Sequence, residues 1–270
     1  CAVFRYDWEM QDNDCDVIFV EFAVNDAGLD EELRSRSREG LVRKILKTTD
    51  ADIVFVYTFC EGFYQDMREG RMPKSIEDYE KIARHYDIGS VWMSKAAFDM
   101  VCAGRLRWEE WLPDGLHPQS AGSRIYAQAV IGFLQEELAQ GAAGKALCRT
   151  TASLNPLNWE EARTMPLEQL ETQGNWIVKS LYDYDIRQVL YTTAVGATVS
   201  FRCTCRAIQI GTLFGSVCGA VKYRIDGGEW QANARETAPW MGACNWLYAF
   251  SLLDSDEEAC HTVELMNEKM

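Results

Sequence analysis

The sequence predicts an α/β domain built on a parallel sheet, followed by an all-β domain. Strand-like and helix-like segments alternate in the first half of the chain, short β-like segments dominate the second, and a connector rich in small residues separates them. Alternation is typical of a parallel sheet covered by helices, and successive short strands are typical of a sandwich. We expect the α/β domain over residues 1–141, a linker over 142–158 and a jelly-roll-like β-sandwich over 159–270.

Two short apolar runs in the first half are typical of buried parallel strands. Residues 17–24 form one run, interrupted only by Glu21, and residues 51–59 form the other. Runs this short and this rich in Val, Ile and Phe are typical of strands covered on both faces. A third strand is predicted at the start of SVWMSKAAFDMVCAG, which then continues as a helix.

Helical patterns follow these strands. The first has acidic residues at its start, where the helix dipole favours them, and one apolar face made of Leu33, Leu41, Val42, Ile45 and Leu46. The segment SIEDYEKIARHYDI predicts a second helix, with Ser75 and Asp78 as candidate caps. The segment SAGSRIYAQAVIGFLQEELAQG predicts a long amphipathic helix that ends at Gly141.

The net charge argues against two classes of partner, and the cysteines indicate the redox setting. A formal net charge of −14 opposes binding to nucleic acid and to anionic membranes, and no apolar run reaches the length of a membrane span. Several of the ten cysteines lie inside apolar runs, which favours reduced thiols and a cytoplasmic setting. The CTC segment at 203–205 lacks the second Cys pair of a zinc site, so it is interpreted as a strand with both thiols on one face. We expect no metal and no cofactor.

Asp114 and His117 are the first candidate catalytic pair. They lie in the loop LPDGLHPQSAG, directly before the long helix. A carboxylate can fix one imidazole nitrogen as donor and leave the other as a base. Alternatively, Asp114 caps a turn and His117 is a polar loop residue.

Asn25 and Asp26 directly follow the first predicted strand. Ligand sites of parallel sheets lie beyond the carboxyl ends of the strands, and an amide there can donate to a developing oxyanion. The alternative is that these residues only turn the chain out of the strand.

Together, VEFAVND and DGLHPQSAG resemble the third and fifth conserved blocks of SGNH (GDSL-type) hydrolases, over roughly residues 1–140. This resemblance implies a flavodoxin-like three-layer sandwich and ester hydrolysis, often the deacetylation of carbohydrates. It implies that His117 is the general base, Asp114 its orienting acid and Asn25 an oxyanion donor. Ala23 replaces a glycine of the family pattern.

The nucleophile of that family is missing. No Gly-Asp-Ser block occurs, and the first serine, Ser35, lies inside a predicted helix. Ser120, which suits a helix N-cap, and the terminal thiol of Cys1 are the substitutes that the sequence offers. We interpret the chain as a fragment whose missing blocks, with the first strand of the sheet, precede Cys1.

The other candidates have simpler structural interpretations. His85 is expected on a helix surface, and His261 is expected to start the last strand. Glu109 and Glu110 could form a carboxylate pair, but a packed Trp108–Trp111 pair with solvated acids is favoured. Three tryptophans of the β domain could stack on sugar rings or pack in its core: Trp230, Trp240 and Trp246.

The sequence therefore predicts a serine esterase or deacetylase that acts on an acylated carbohydrate or a similar small ester. As the given fragment, it is expected to be inactive or nearly so. The alternative is a non-catalytic, carbohydrate-binding two-domain protein.

Overall fold

A computed structural model describes residues 2–10, 14–140, 150–181, 186–214, 218–233 and 246–269. The chain divides into two compact units, Cys1–Arg163 and Thr164–Met270. The first unit carries a parallel sheet with helices, and the second carries antiparallel sheets. The predicted fold class is confirmed.

The parallel sheet of the first unit has three strands in the order β1-β2-β3. They are β1 (Val17–Val20), β2 (Asp52–Val56) and β3 (Gly89–Val91). The central strand β2 is the most deeply buried, with Ile53, Val54, Phe55 and Val56 all in the core. The apolar runs therefore predicted the strands correctly, because a central parallel strand has no solvent face.

Helices connect and cover these strands. Their bounds are α1 (Ala2–Glu9), α2 (Glu31–Thr48), α3 (Tyr64–Arg68), α4 (Lys74–Tyr86), α5 (Met93–Cys102), α6 (Trp108–Trp111) and α7 (Ser120–Ala139), with a 3-10 turn at Glu61–Phe63. Parallel crossovers are right-handed, so the successive connections through α2 and α4 lie on the same face of the sheet. These two helices contact each other, and α7 contacts β3 and α5.

Three predicted caps are corrected by the structure. Pro73, not Ser75 or Asp78, precedes the first residue of α4, and Gln119, not Ser120, precedes the first residue of α7. Proline suits this place because its fixed φ matches a helix start. The Ser75 hydroxyl is instead engaged in the core, where it donates to the carbonyl of Ala23.

A strap formed by residues 150–163 packs along α2. The expectation assigned residues 150–158 to the linker and 159–163 to the β domain, whereas both lie in the first compact unit. The buried carboxylate of Glu39 accepts the backbone N–H groups of Leu154 and Asn155 at 2.5 and 2.7 Å. Gly40 lets the strap approach, since a Cβ there would lie 2.7 Å from the backbone nitrogen of Trp159. The rest of the expected linker, 142–149, lies outside the described residues.

The second unit is all-β. Its strands are β4 (Glu171–Gln173), β5 (Ile177–Leu181), β6 (Ile186–Tyr191), β7 (Thr198–Phe214), β8 (Ala220–Ile225), β9 (Gln231–Ala232) and β10 (Trp246–Lys269). Five form an antiparallel sheet in the order β4-β7-β10-β8-β9, and β5 pairs with β6. His261 lies inside β10, not at the start of a strand, because β10 continues through a register shift between Asp254 and Ala259. Within the described residues, no helix has the length and apolar character needed to cross a bilayer.

Candidate active site

Asp114 and His117 form a closed hydrogen-bonded loop before α7. Oδ2 of Asp114 lies 2.7 Å from Nδ1 of His117. Its other oxygen, Oδ1, accepts the backbone N–H groups of Leu116 and His117 at 2.9 and 2.7 Å. Gly115 permits this tight loop, since its φ of +78° is a conformation that favours glycine. One carboxylate therefore fixes both the backbone and the ring of His117.

These bonds determine the charge of the carboxylate and the tautomer of the ring. The backbone N–H and ring of His117, together with the N–H of Leu116, hold the pKa of Asp114 well below its ordinary value. An ionised carboxylate at Nδ1 favours the proton of a neutral imidazole there, which leaves the lone pair on Nε2. The His117 side chain is 77% exposed, so a reactant can reach the ring. This is the geometry of a general base oriented by an acid.

The loop lies near the chain that leaves β2. A Cβ on Gly115 would lie 4.0 Å from the Cβ of Glu61, in the turn that follows this strand. The backbone N–H of Gln119 donates to the carbonyl of Trp111 at 2.9 Å and closes the loop at its base. Trp111 is fully buried and packs against Phe59 with ring centroids 5.0 Å apart. The loop that carries Asp114 and His117 is therefore anchored on packed aromatic rings at the carboxyl edge of the sheet.

Asn25 lies in the turn after β1, at the same edge, with an exposed side chain. The residues around it are held firmly. Ser75 donates its hydroxyl to the carbonyl of Ala23 at 2.6 Å, and the guanidinium of Arg38 binds Asp26 at 3.2 Å. Arg38 also donates to the Ser75 hydroxyl at 2.7 Å. Asp26 is thus part of a buried ionic network, whereas the amide of Asn25 remains accessible.

Glu21 is a further candidate residue that motif comparison misses. It directly follows β1, and burial raises the pKa of its carboxyl group, although hydrogen bonds from Thr58 and from the backbone N–H of Val24 lower it. Burial also raises the pKa of Tyr126 to about 12, with a smaller contribution from the charge of Glu21. Perturbed groups at such an edge are functional candidates. The available sequence signal was a single charge inside an apolar run.

The described part of the chain offers no nucleophile in contact with the His117 ring. No Ser, Thr or Cys there hydrogen-bonds the ring of His117. Ser35 accepts a bond from the side chain of Asn155, 3.0 Å away in the strap. Ser120 is the exposed first residue of α7, and Cys1 lies outside the described residues.

The remaining candidates have structural roles where they are described. Trp108 and Trp111 pack edge to face at 5.1 Å, and Glu110 pairs with Arg107, as the simpler interpretation expected. His85 is half-buried on α4, and its Nε2 lies 2.7 Å from the carbonyl oxygen of Ala152. In the described residues, no three His, Cys, Asp or Glu side chains are grouped to hold a metal.

One of the three β-domain tryptophans has a described side chain. The guanidinium of Arg224 lies 4.7 Å from the ring centroid of Trp230. Trp240 lies outside the described residues, and only the backbone of Trp246 is described.

Comparison with known proteins gives a structural likeness. No family model matches the sequence, and no curated protein does. A two-domain esterase (CEX) active on acetylated mannans matches 100% of this chain and 72% of its own, with a TM-score of 0.82 and 22% identity. A structure of such an esterase co-crystallized with mannopentaose matches 100% of this chain and 71% of its own, with a TM-score of 0.81 and 21% identity. This chain therefore has the fold of a solved two-domain esterase.

Proposed function

We propose that this protein is an SGNH-type serine esterase that removes acyl groups from a carbohydrate. The observation that carries the proposal is the contact between Asp114 and His117, in which a fixed carboxylate holds Nδ1 and leaves the ring accessible. The turn that presents Asn25, anchored through Ala23 and Asp26, supplies an amide donor at the same edge of the sheet. The fold likeness to an esterase active on acetylated mannans supports a glycan ester as the substrate.

In the proposed mechanism, the nucleophile is a serine carried by a Gly-Asp-Ser block outside these 270 residues. His117 takes the proton of the serine hydroxyl as its oxygen attacks the ester carbonyl. The Asn25 amide donates to the oxyanion of the tetrahedral intermediate, and Asp114 stabilises the imidazolium. The intermediate then collapses and expels the sugar oxygen, which His117 protonates to a hydroxyl, and an acyl-serine remains. Water, deprotonated by His117, releases the carboxylic acid and restores the serine.

The decisive experiment identifies the nucleophile. The 270-residue chain and the full-length protein are treated with a serine-reactive fluorophosphonate, and the labelled peptide is mapped. We expect label only on a serine outside this sequence, together with release of acetate from acetylated mannan by the full-length protein. If the 270-residue chain hydrolyses p-nitrophenyl acetate and His117→Ala abolishes this activity, the proposal that the nucleophile lies outside this sequence is wrong.

The non-catalytic alternative makes a different prediction. A protein that only binds glycans retains no acetate release in any form, and its affinity is unchanged by Asp114→Asn. Titration of the full-length protein with mannopentaose, in parallel with the acetate assay, distinguishes the two functions. Turnover that is abolished by His117→Ala while mannopentaose still binds supports the esterase.

A further inference from the structure

A close thiol pair lies on strand β7 of the second unit. Cys203 and Cys205 are two positions apart, so their side chains point to the same face of the sheet. Their Sγ atoms lie 3.2 Å apart, and both residues are partly exposed. This face also holds the fully buried Val263, the partner of Phe201 in the adjoining strand. The pair therefore lies on the inner face of the sheet but remains open to small molecules.

The strand pairing is interrupted directly beside this pair. Cys205 pairs with Ala259, whereas Ala207 pairs with Asp254, so residues 255–258 of β10 bulge opposite Arg206. A bulge bends a strand and relaxes its ladder. The ladder from Cys203 to Cys205 is itself regular, so the relaxed pairing begins directly beyond Cys205 and lets the chain on that side adjust.

A histidine stands opposite the first thiol. His261 is the cross-strand partner of Cys203, on the same face. Its Nδ1 lies 2.8 Å from Oδ2 of Asp226, whose Oδ1 accepts the backbone N–H of Thr262 at 2.7 Å. The N–H of Thr262 and the ring of His261 lower the pKa of Asp226. The carboxylate thus orients the ring and leaves Nε2 as the nitrogen available to exchange protons.

We propose that Cys203 and Cys205 form a thiol–disulfide exchange site, which a low-molecular-weight disulfide such as oxidised glutathione converts into a disulfide within β7. Two residues of extended strand span about 6.6 Å, near the upper end of the Cα separations that a disulfide bridges, so we expect the strand to shorten slightly when the bond forms. A tetrahedral metal with two thiolates at 2.3 Å would need the sulfurs about 3.8 Å apart, so the observed spacing favours the disulfide. This site is independent of the proposed esterase site.

The exchange proceeds in two balanced steps. The Cys203 thiolate attacks one sulfur of oxidised glutathione, forms a mixed disulfide and releases one glutathione thiolate. The Cys205 thiolate then attacks the Cys203 sulfur and releases the second glutathione. The protons of the two protein thiols end on the two glutathiones. We place the first attack on Cys203 because His261 lies opposite it, and because burial and the neighbouring Cys203 raise the pKa of Cys205.

Peptide mapping tests this proposal without a variant. Trypsin cuts after Arg202 and Arg206, so both thiols fall in the single peptide CTCR. The folded 270-residue chain is equilibrated with graded ratios of reduced to oxidised glutathione, quenched with an alkylating agent and digested. We expect CTCR to become two hydrogens lighter and resistant to alkylation as the ratio falls. CTCR that remains alkylated at both thiols, or carries only glutathione, at every ratio would overturn the proposal.

Two variants test whether the reaction requires the Cys203–Cys205 pair or occurs at any exposed thiol. Cys260 is more exposed, but it pairs with Thr204 and therefore lies on the opposite face. We expect Cys260→Ser to leave the oxidation of CTCR unchanged. Cys205→Ser should stop the reaction at a stable glutathione adduct on Cys203, because the resolving thiol is gone. Lack of any adduct on Cys203 in a Cys205→Ser protein with unchanged circular dichroism would refute the assigned first attack.

Discussion

The hydroxyl of Ser75 donates to the carbonyl oxygen of Ala23 at 2.6 Å and joins the first turn of α4 to the turn after β1, 52 positions apart in sequence. Arg38 completes this junction, since it binds the Ser75 hydroxyl and the Asp26 carboxylate and stacks on Tyr79 at 4.1 Å. The turn that presents Asn25 is thus held from the side of the helices and not by the strand alone.

Removal of that hydroxyl should loosen the turn. In Ser75→Ala the carbonyl of Ala23 and a donor of Arg38 lose a buried partner, which we expect to lower the free energy of unfolding by about 1–3 kcal/mol. Urea denaturation measures the loss. The matched variant Ser123→Ala, at an exposed position of α7, should change stability by less than about 0.5 kcal/mol. Equal effects at the two positions would contradict a structural role for the Ser75 bond.

Asp114→Asn should change the tautomer of His117. The amide can donate to Nδ1 and so favour the proton on Nε2, and we expect kcat/KM of the active protein to fall roughly 10²–10⁴-fold. Nitrogen NMR of the labelled ring reports the tautomer without need for activity. The control is Asp99→Asn, which removes an exposed carboxylate paired with Lys95 at 2.7 Å and should leave both readouts unchanged.

The pH dependence of activity follows from the lowered pKa of Asp114. A carboxylate with a depressed pKa stays ionised in mild acid and loses its contact with the ring only as the pH falls through that depressed value. Protonation of Asp114 should therefore not cause the acid limb of kcat/KM, which a pH–rate profile of the active protein measures. If the acid limb of kcat/KM shifts in Asp99→Asn, the limb reports general surface charge and not the candidate site.

Glu21→Gln should change the dependence of stability on pH. The folded carboxyl group has a raised pKa, so between about 4.3 and that raised value the folded state binds more protons than the unfolded state. Stability of the wild type then falls as the pH rises through this window, and the variant should lack that decline. Urea midpoints at a series of pH values measure the difference, with the exposed Glu77→Gln on α4 as control. Parallel profiles for Glu21→Gln and wild type would contradict the prediction.

Two helical glycines should respond in opposite directions to alanine. In Gly40→Ala the new Cβ would lie within 2.9 Å of backbone atoms of Trp159, which we expect to cost about 1–3 kcal/mol. In Gly132→Ala the Cβ meets nothing within 4 Å, so better helix propensity should stabilise the protein by about 0.5–1 kcal/mol. Thermal unfolding gives both signs. An unchanged Tm in Gly40→Ala would show that the strap moves aside easily.

Apolar periodicity predicted the buried parts of the first unit. The runs around Val20 and Phe55 became strands, and four of the five residues assigned to the buried face of α2 are in the core. Leu33, near the start of this helix, is only half-buried. Periodicity works here because burial follows directly from the spacing of apolar residues.

Apolar periodicity could not predict contacts between polar groups that are distant in sequence. The strap is held to α2 by Glu39, by Arg43 through Glu160, and by Lys44 through the carbonyl of Ala162, none of which leaves an apolar pattern. Likewise, the sequence predicted that the last strand starts at His261, whereas residues 255–258 form a bulge within one long strand that includes this histidine. For the candidate site, the structure shows the contact between Asp114 and His117 that their spacing suggested, and their catalytic roles stay predictions.

The strap also affects where the α/β unit can be truncated. A chain that stopped at residue 141 would keep the parallel sheet and the helices around it, yet Glu39 would lose the two backbone donors that satisfy its buried carboxylate. Lys44 would lose a carbonyl partner and keep its bond to Asp7. We therefore expect an excised α/β unit to be more stable when it ends at residue 163 than when it ends at residue 141.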